Sequence, residues 1–287
     1  METSAVYRPH AEAPASARLV PCPVPAAWLG VQAHRFEIVS RGDFVPGVIY
    51  ASEELRPEAR STAGSAPLLL MAHDARGSSR SDELAFAASW AREGLRVAAV
   101  DLPLHGSRRS AKLSERLCEG FDRVARAEAL DLETQLLMEE FARQSTSDLI
   151  RTLDALIAAP ETKIDADRIG FLGFGLGAAV GSYLLAHDPR PRVAVLAGAS
   201  AWTEPPELDP AHWISRASKI ECLVVASAGA AGEDPRGNDR RPSAGVRAFV
   251  EAVPGPRRLA LQAGDARAPS TETLAAMREF LGSALRF

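Results

Sequence analysis

One segment, Arg168 to Leu185 (RIGFLGFGLGAAVGSYLL), constrains the fold of this chain most strongly. A short apolar run passes through Gly173, Gly175 and Gly177 directly into a second apolar stretch of helical character. Closely spaced glycines at such a junction let the backbone of a strand and the backbone of a helix approach without side chains between them. The segment therefore predicts an α/β protein in which strands alternate with helices.

The rest of the chain agrees with a parallel sheet. The runs APLLLMAHD and LRVAAVD flank a helical pattern that stops at Gly94, and both are continuously apolar, as is typical of strands covered by helices on both faces. An antiparallel hairpin is predicted over 35–51, and a helix from about Ser147. Later strands are predicted at 168–172, 192–196, 221–226 and 258–262. These elements predict a doubly wound, mostly parallel sheet of about eight strands flanked by helices.

Length and residue spacing predict the domain organisation. The chain has 287 residues, and residues 33–287 are predicted to form a single α/β domain. Residues 1–32, rich in Ala and Pro, are predicted to be a flexible N-terminal leader. The charged stretch 107–146 is predicted to be an insertion or a cap-like region.

Charge and cysteine content narrow the partners. The net charge is -4 with both signs interspersed, so no basic stripe favours nucleic acid and no polybasic segment favours a membrane surface. Cys22, Cys118 and Cys222 lie far apart without metal-ligand spacing, which indicates reduced thiols. We therefore expect a cytoplasmic protein without cofactor or metal that binds a small molecule or a protein partner, with a homodimer left open.

The glycine turn resembles a catalytic motif. Gly173-Phe174-Gly175-Leu176-Gly177 has the flanking glycines of the nucleophile elbow G-x-S-x-G, with Gly175 in place of the nucleophile. Three further segments resemble the α/β-hydrolase superfamily, in particular its dienelactone-hydrolase-like and prolyl-oligopeptidase-like branch. They are VPGVIY (45–50), like the opening hairpin, MAHDARGSS (71–79), like the oxyanion segment, and DLPLHGSR (101–108), like the D-x-P-x-H-G-x-R turn.

The resemblance implies a catalytic triad that this sequence does not complete. In this fold the nucleophile is followed along the chain by an acid and then a histidine base. The acid position falls on Ala231, and only Glu233 and Asp234, slightly later in the loop, offer a carboxylate.

The base position is also altered. The loop after the last predicted strand reads LQAGDARAP and offers Asp265, Ala266 and Arg267, and no histidine follows His212. Loss of the base removes most of the advantage of an activated nucleophile. Natural loss of the triad explains Gly175 and the missing histidine together.

These departures favour a non-catalytic pseudohydrolase that binds a small acyl- or carboxylate-bearing ligand, or a protein partner. The expected ligand-binding residues around the elbow are His73, Asp74, His105, Phe174 and Leu176. One alternative is an active ester, thioester or C–C hydrolase with relocated chemistry on Asp74, His105, Asp234 or Asp265. Another is a structural or regulatory scaffold.

Two local alternatives remain at this stage. Gly173, Gly175 and Ala178 also fit the dinucleotide fingerprint G-x-G-x-x-[GA], although no acidic residue ends the following strand to hold a ribose. His73 and His105, at the carboxyl edge of the sheet, would serve with Asp74 as an acid–base pair or metal site, or would hold backbone in their turns.

Overall fold

The structure, a computed structural model, describes residues 15–26, 28–53, 65–80, 86–228 and 242–287. Its strands are β1 (Val20–Cys22), β2 (Val31–Ser40), β3 (Asp43–Ser52), β4 (Ala66–Ala72), β5 (Arg96–Val100), β6 (Ile164–Phe174), β7 (Pro191–Ala197), β8 (Glu221–Ser227) and β9 (Arg257–Gln262). Its helices are α1 (Ala87–Arg92), α2 (Ala111–Ala125), α3 (Leu132–Ala158), α4 (Leu176–His187), α5 (Pro210–Ile214), α6 (Ala244–Ala252) and α7 (Thr271–Leu285).

The strands of the described residues form one sheet in the order β1-β2-β3-β5-β4-β6-β7-β8-β9. The first three are antiparallel to their neighbours, whereas β5, β4, β6, β7, β8 and β9 pair in parallel. This confirms the predicted doubly wound, mostly parallel sheet. About eight strands were expected, and the described residues hold nine because three residues of the predicted leader, Val20–Cys22, form the edge strand β1.

Helices cover both faces of the sheet, which explains the continuous apolar strands. Every residue of β4 and of β5 is buried. One core cluster joins the sheet to α2, α3, α4, α5 and α6, and the other joins it to α1 and α7. No helix in the described part of the chain is long and apolar enough to cross a membrane.

The predicted hairpin is confirmed as β2 and β3. Ser40 pairs with Asp43, so the connection is the two residues Arg41 and Gly42. Their φ angles are 52° and 82°, the two positive values that a type I′ turn requires.

The predicted start of the helix before β6 is wrong. We expected it at about Ser147, but α3 already begins at Leu132, where the N-cap Asp131 accepts a hydrogen bond from the N–H of Thr134 at 2.9 Å. The first half of α3 is mostly polar and buries only a narrow face with Met138 and Phe141, so its sequence lacks the apolar period that indicates a helix. Residues 107–146 contain α2 and the first half of α3.

Candidate functional site

The glycine turn joins β6 to α4 at the carboxyl edge of the sheet. Gly175 has φ 48° and ψ -108°, a conformation that side chains rarely adopt, and its N–H donates to the carbonyl oxygen of Ala197 at 2.8 Å. A Cβ on Gly177 would overlap the carbonyl group of Ala72 at the end of β4. The predicted strand–turn–helix junction is confirmed, and the backbone contacts explain why its glycines are needed.

The carboxylate of Asp74 fills the space directly above Gly175. Asp74 follows β4 by two residues, and its Oδ1 accepts a hydrogen bond from the N–H of Leu176 at 2.9 Å. A Cβ built on Gly175 would overlap this Oδ1 and lie 2.5 Å from Cγ of Asp74. The carboxylate therefore stands where a side chain at 175 would begin, and it binds the first backbone amide of α4.

Arg267, in the loop after β9, completes the cluster around this carboxylate. Its Nη1 lies 3.6 Å from Oδ2 of Asp74, and its Nε and Nη2 donate to Asp265 at 3.0 and 2.7 Å. The Arg267 side chain is 53% exposed, whereas that of Asp74 is 15% exposed. The half-exposed guanidinium of Arg267 thus lies between the carboxylates of Asp74 and Asp265, next to the glycine turn.

Opposing effects act on the pKa of Asp74. Burial raises the pKa of Asp74, while the amide of Leu176 and the charge of Arg267 act in the opposite direction. The hydrogen bonds to Asp265 raise the pKa of Arg267, and those same bonds lower the pKa of Asp265. Arg267 therefore remains a cation and can form an ion pair with an anion bound above Gly175.

His73 holds the backbone beneath the cluster. The N–H of Leu102 donates to Nε2 of His73 at 3.2 Å, so the proton resides on Nδ1, which donates to the carbonyl oxygen of Asp74 at 2.8 Å. The side chain is fully buried, and burial lowers the pKa of His73 to about 4. His73 is therefore a neutral link between the segments that follow β4 and β5.

This buried histidine predicts a pH-dependent stability. The unfolded histidine binds a proton below about pH 6.5, whereas the folded one does so only below about pH 4. The unfolded state binds more protons between these values, so the free energy of unfolding attributable to His73 should fall by about 3 kcal/mol from pH 7 to pH 4. Urea unfolding of the protein and of His73→Gln across this range measures the difference.

The variant is needed because other groups titrate in the same range. Burial also lowers the pKa of His105, which adds to the loss of stability, and raises the pKa of Asp74 and Asp148, which opposes it. If His73→Gln and the unchanged protein lose stability in parallel as the pH falls, His73 is not the buried neutral group described.

His105 lies next to His73, with the two ring centroids 5.4 Å apart. Its Nδ1 donates to the carbonyl oxygen of Pro103 at 2.8 Å. Its Nε2 is buried, and within the described residues it has no hydrogen-bond partner. The ring packs against Phe141 of α3 with centroids 5.8 Å apart, so His105 links the turn after β5 to the helical layer.

The other expected site residues lie in different surroundings. Phe174 is fully buried in the core, with its ring centroid 6.0 Å from that of Phe86. The side chain of Ala266 is buried too, and its N–H donates to Oγ of Ser227 at 3.0 Å. Asp234 lies outside the described residues. Of the expected residues, Asp74, Leu176 and Asp265 meet around Gly175, together with Arg267.

The sequence singled out Asp74 and Arg267 separately, and it did not predict their contact. The one signal in the sequence is Gly175 itself, because a residue without a side chain leaves room for a carboxylate from elsewhere. The spacing of residues along the chain does not indicate which carboxylate occupies that room. In the residues that the structure describes, no group of three or more His, Cys, Asp or Glu is arranged to hold a metal ion.

Comparisons with known proteins identify the fold. No protein-family model and no curated protein sequence matches the chain. A cold-adapted esterase from an Arctic intertidal metagenomic library, in its PEG-bound complex, aligns with TM-score 0.66 and 19% identity over 94% of this chain and 99% of that chain. An acetyl xylan esterase from Paenibacillus sp. R4 aligns with TM-score 0.65 and 18% identity over 98% and 92%.

A candidate dienelactone hydrolase from Klebsiella pneumoniae aligns with TM-score 0.57 and 16% identity over 89% of this chain and 98% of that chain. The chain therefore has an α/β-hydrolase-like fold, with esterases and a dienelactone hydrolase among its structural neighbours. At these identities the likeness concerns the fold alone.

Proposed function

We propose that this protein is a non-catalytic pseudohydrolase that binds a small carboxylate-bearing ligand above Gly175. The observation that carries the proposal is the carboxylate of Asp74, which occupies the place of a nucleophile side chain and accepts the N–H of Leu176 at 2.9 Å. The protein thus holds one of its own carboxylates at the start of α4, beside the cation Arg267.

Three features argue against serine hydrolysis at this turn. Gly175 has no side chain to attack an acyl group. The backbone amide after the nucleophile, which stabilises the oxyanion in this fold, belongs here to Leu176 and is bound to Asp74. The loop after β9 offers Asp265, Ala266 and Arg267. The hydrogen bonds from Arg267 lower the pKa of Asp265, Ala266 has no titratable group and Arg267 is a cation, so none of the three takes up a proton at neutral pH.

The same cluster is suited to exchange of one carboxylate for another. A helix N-terminus and a guanidinium both favour anions, and Arg267 is half exposed and so reachable from solvent. A ligand carboxylate that displaces Asp74 gains the amide of Leu176 and the charge of Arg267. Asp74 is then an internal competitor, which weakens binding and selects ligands with further contacts.

The position of Asp74 also supports a second candidate, a hydrolase with relocated chemistry in which this carboxylate attacks the substrate. The attack would form a mixed anhydride and release the alcohol, and a base would then have to activate a water molecule that hydrolyses this anhydride. Both nitrogens of His73 already form hydrogen bonds with backbone groups, so the Nε2 of His105 is the candidate base. Turnover of esters that disappears in Asp74→Asn and in His105→Gln would favour this candidate.

A combined assay tests the proposal. We expect no labelling by a fluorophosphonate probe, no turnover of 4-nitrophenyl acetate or butyrate above background, and an increase in Tm with benzoate. Benzoate at 100 times its Kd adds about 2.7 kcal/mol to the free energy of unfolding, which for a domain of this size raises Tm by about 5 to 10 °C.

Matched variants locate the binding. Arg267→Gln should abolish the effect of benzoate on Tm, whereas Arg258→Gln, at an exposed position in β9 with the same change of charge, should retain it. Fluorophosphonate labelling would contradict the absence of a serine nucleophile. No response to any carboxylate would instead favour a scaffold without a ligand.

A further inference from the structure

A cavity of about 670 Å³ lies between β2, β3, the loop after β4 and the turn after β5. Neither Gly175 nor its neighbours Asp74 and Arg267 line it, so it is separate from the carboxylate cluster formed by Asp74, Asp265 and Arg267. Its volume falls within the range of about 300 to 1,000 Å³ that is usual for small-molecule sites. It is therefore large enough for a ligand of its own.

Three arginines, Arg18, Arg35 and Arg80, line this cavity with exposed side chains. Across the described ranges none of the three forms an ion pair, whereas Arg108 and Arg190 are paired with carboxylates elsewhere in the protein. Arginines that line one cavity and form no ion pair favour an anion, and their planar donors match phosphate oxygens.

Two acidic residues, Glu37 and Asp101, also line the cavity. Asp101 is buried and its oxygens are occupied, since Oδ1 accepts from the N–H of Ser79 at 2.7 Å and Oδ2 accepts from the N–H and Oγ of Ser107 at 2.8 and 2.7 Å. Glu37 is exposed and lies two residues after Arg35 on the same face of β2. Glu37 is thus the acidic group that a bound anion would meet.

The wall of the cavity is partly apolar. Val20 and Pro46 line it, opposite their strand partners Arg35 and Glu37, and Val20 is 45% exposed although it is aliphatic. An inorganic ion would leave this apolar surface exposed to water. An organic group attached to the anion would bury it, which contributes favourable free energy to binding.

We propose that this cavity binds a small organic phosphate monoester. Arg18, Arg35 and Arg80 bind the phosphate, and Val20 and Pro46 contact the organic group. Glu37 limits the affinity through its like charge. The site is independent of the carboxylate site proposed above Gly175.

Calorimetric titration with phenyl phosphate at low ionic strength tests this inference. Arg35→Gln and Arg80→Gln should each weaken binding about 10-fold, because each removes a charge-assisted contact. Glu37→Gln should tighten binding about 3-fold, since it removes the repulsive carboxylate. Arg247→Gln, an exposed arginine on α6 at the other end of the sheet, should leave binding unchanged.

Two further comparisons decide what binds and where. Phenyl phosphate should bind more tightly than inorganic phosphate, and Arg267→Gln should retain phenyl phosphate binding. The inference is overturned if the protein does not bind phenyl phosphate, or if inorganic phosphate binds as tightly as phenyl phosphate. It is also overturned if Arg35→Gln and Arg80→Gln bind phenyl phosphate with the affinity of the unchanged protein. Loss of binding in Arg267→Gln would also overturn it, because the anion would then lie at the carboxylate cluster.

Discussion

Gly175→Ser is expected to lower the free energy of unfolding by about 3 to 4 kcal/mol and to leave the protein without esterase activity. Two effects add. The backbone at φ 48° and ψ -108° strains any side chain, and the new Cβ overlaps Oδ1 of Asp74. The carboxylate has to leave the amide of Leu176, and a lost hydrogen bond to a charged group costs about 1.5 to 3 kcal/mol.

Two matched variants separate strain from overlap. Gly42 also has a positive φ, 82°, but a Cβ there meets nothing within 4 Å, so Gly42→Ser should cost only about 1 kcal/mol. In an Asp74→Ala background the cost of Gly175→Ser should fall by about 2 kcal/mol, because the overlap with Asp74 is gone and the remaining close atom, Cδ of Arg267 at 2.9 Å, belongs to a flexible side chain. Urea unfolding of the single and double variants measures this coupling.

No activity is expected from the serine in either background. The loop after β9 offers only Asp265, whose pKa is lowered by its hydrogen bonds with Arg267, together with Ala266 and Arg267, and no histidine follows His212 in the sequence. Without a base, a serine hydroxyl is a weak nucleophile at neutral pH. Turnover of 4-nitrophenyl acetate by Gly175→Ser would show that another group takes the serine proton, and equal costs for Gly175→Ser and Gly42→Ser would show that Asp74 does not fill the turn.

Much of the fold could be predicted because local patterns and tertiary environment agree. The runs that became β4 and β5 are apolar at consecutive positions, and both strands are buried throughout. The hairpin of β2 and β3 was recognisable from two short runs rich in Val, Ile, Phe and Tyr around the turn Arg41-Gly42-Asp43. By contrast, β1 has three residues and depends on pairing with β2, and the first half of α3 shows too few apolar residues for a clear helical period.

The candidate site was predictable in position more than in detail. The glycines placed the turn, and the resemblance to the hydrolase motifs predicted that Gly175 and the loop near Ala266 depart from a catalytic triad. The bond from Leu176 to Asp74 joins residues 102 positions apart, and its formation depends on how β4 and β6 pair. Such a contact follows from tertiary geometry, which the sequence pattern does not contain.

Asp74→Ala is expected to increase the affinity for small carboxylates about 10- to 100-fold. In the unchanged protein a ligand has to displace the carboxylate of Asp74 from the amide of Leu176, and the loss of a charge-assisted hydrogen bond of about 1.5 to 3 kcal/mol corresponds to this factor. In Asp74→Ala the amide and Arg267 are available to the ligand directly.

Asp265→Ala is the matched control for this gain. It removes a carboxylate that accepts from Arg267 at 2.7 Å but leaves the bond between Asp74 and Leu176 in place. Its effect on carboxylate affinity should therefore be only a few-fold. The double variant Asp74→Ala/Arg267→Gln should lose the gain, because the cation that holds the ligand is absent.

We propose that Asp74 occupies the anion position of a ligand-binding site. Calorimetric titration of benzoate into the unchanged protein and into Asp74→Ala measures whether Asp74 and the ligand compete. We predict a Kd at least 10-fold lower for Asp74→Ala. An equal or higher Kd for Asp74→Ala would contradict the claim, since it would mean that Asp74 does not compete with the ligand at the amide of Leu176.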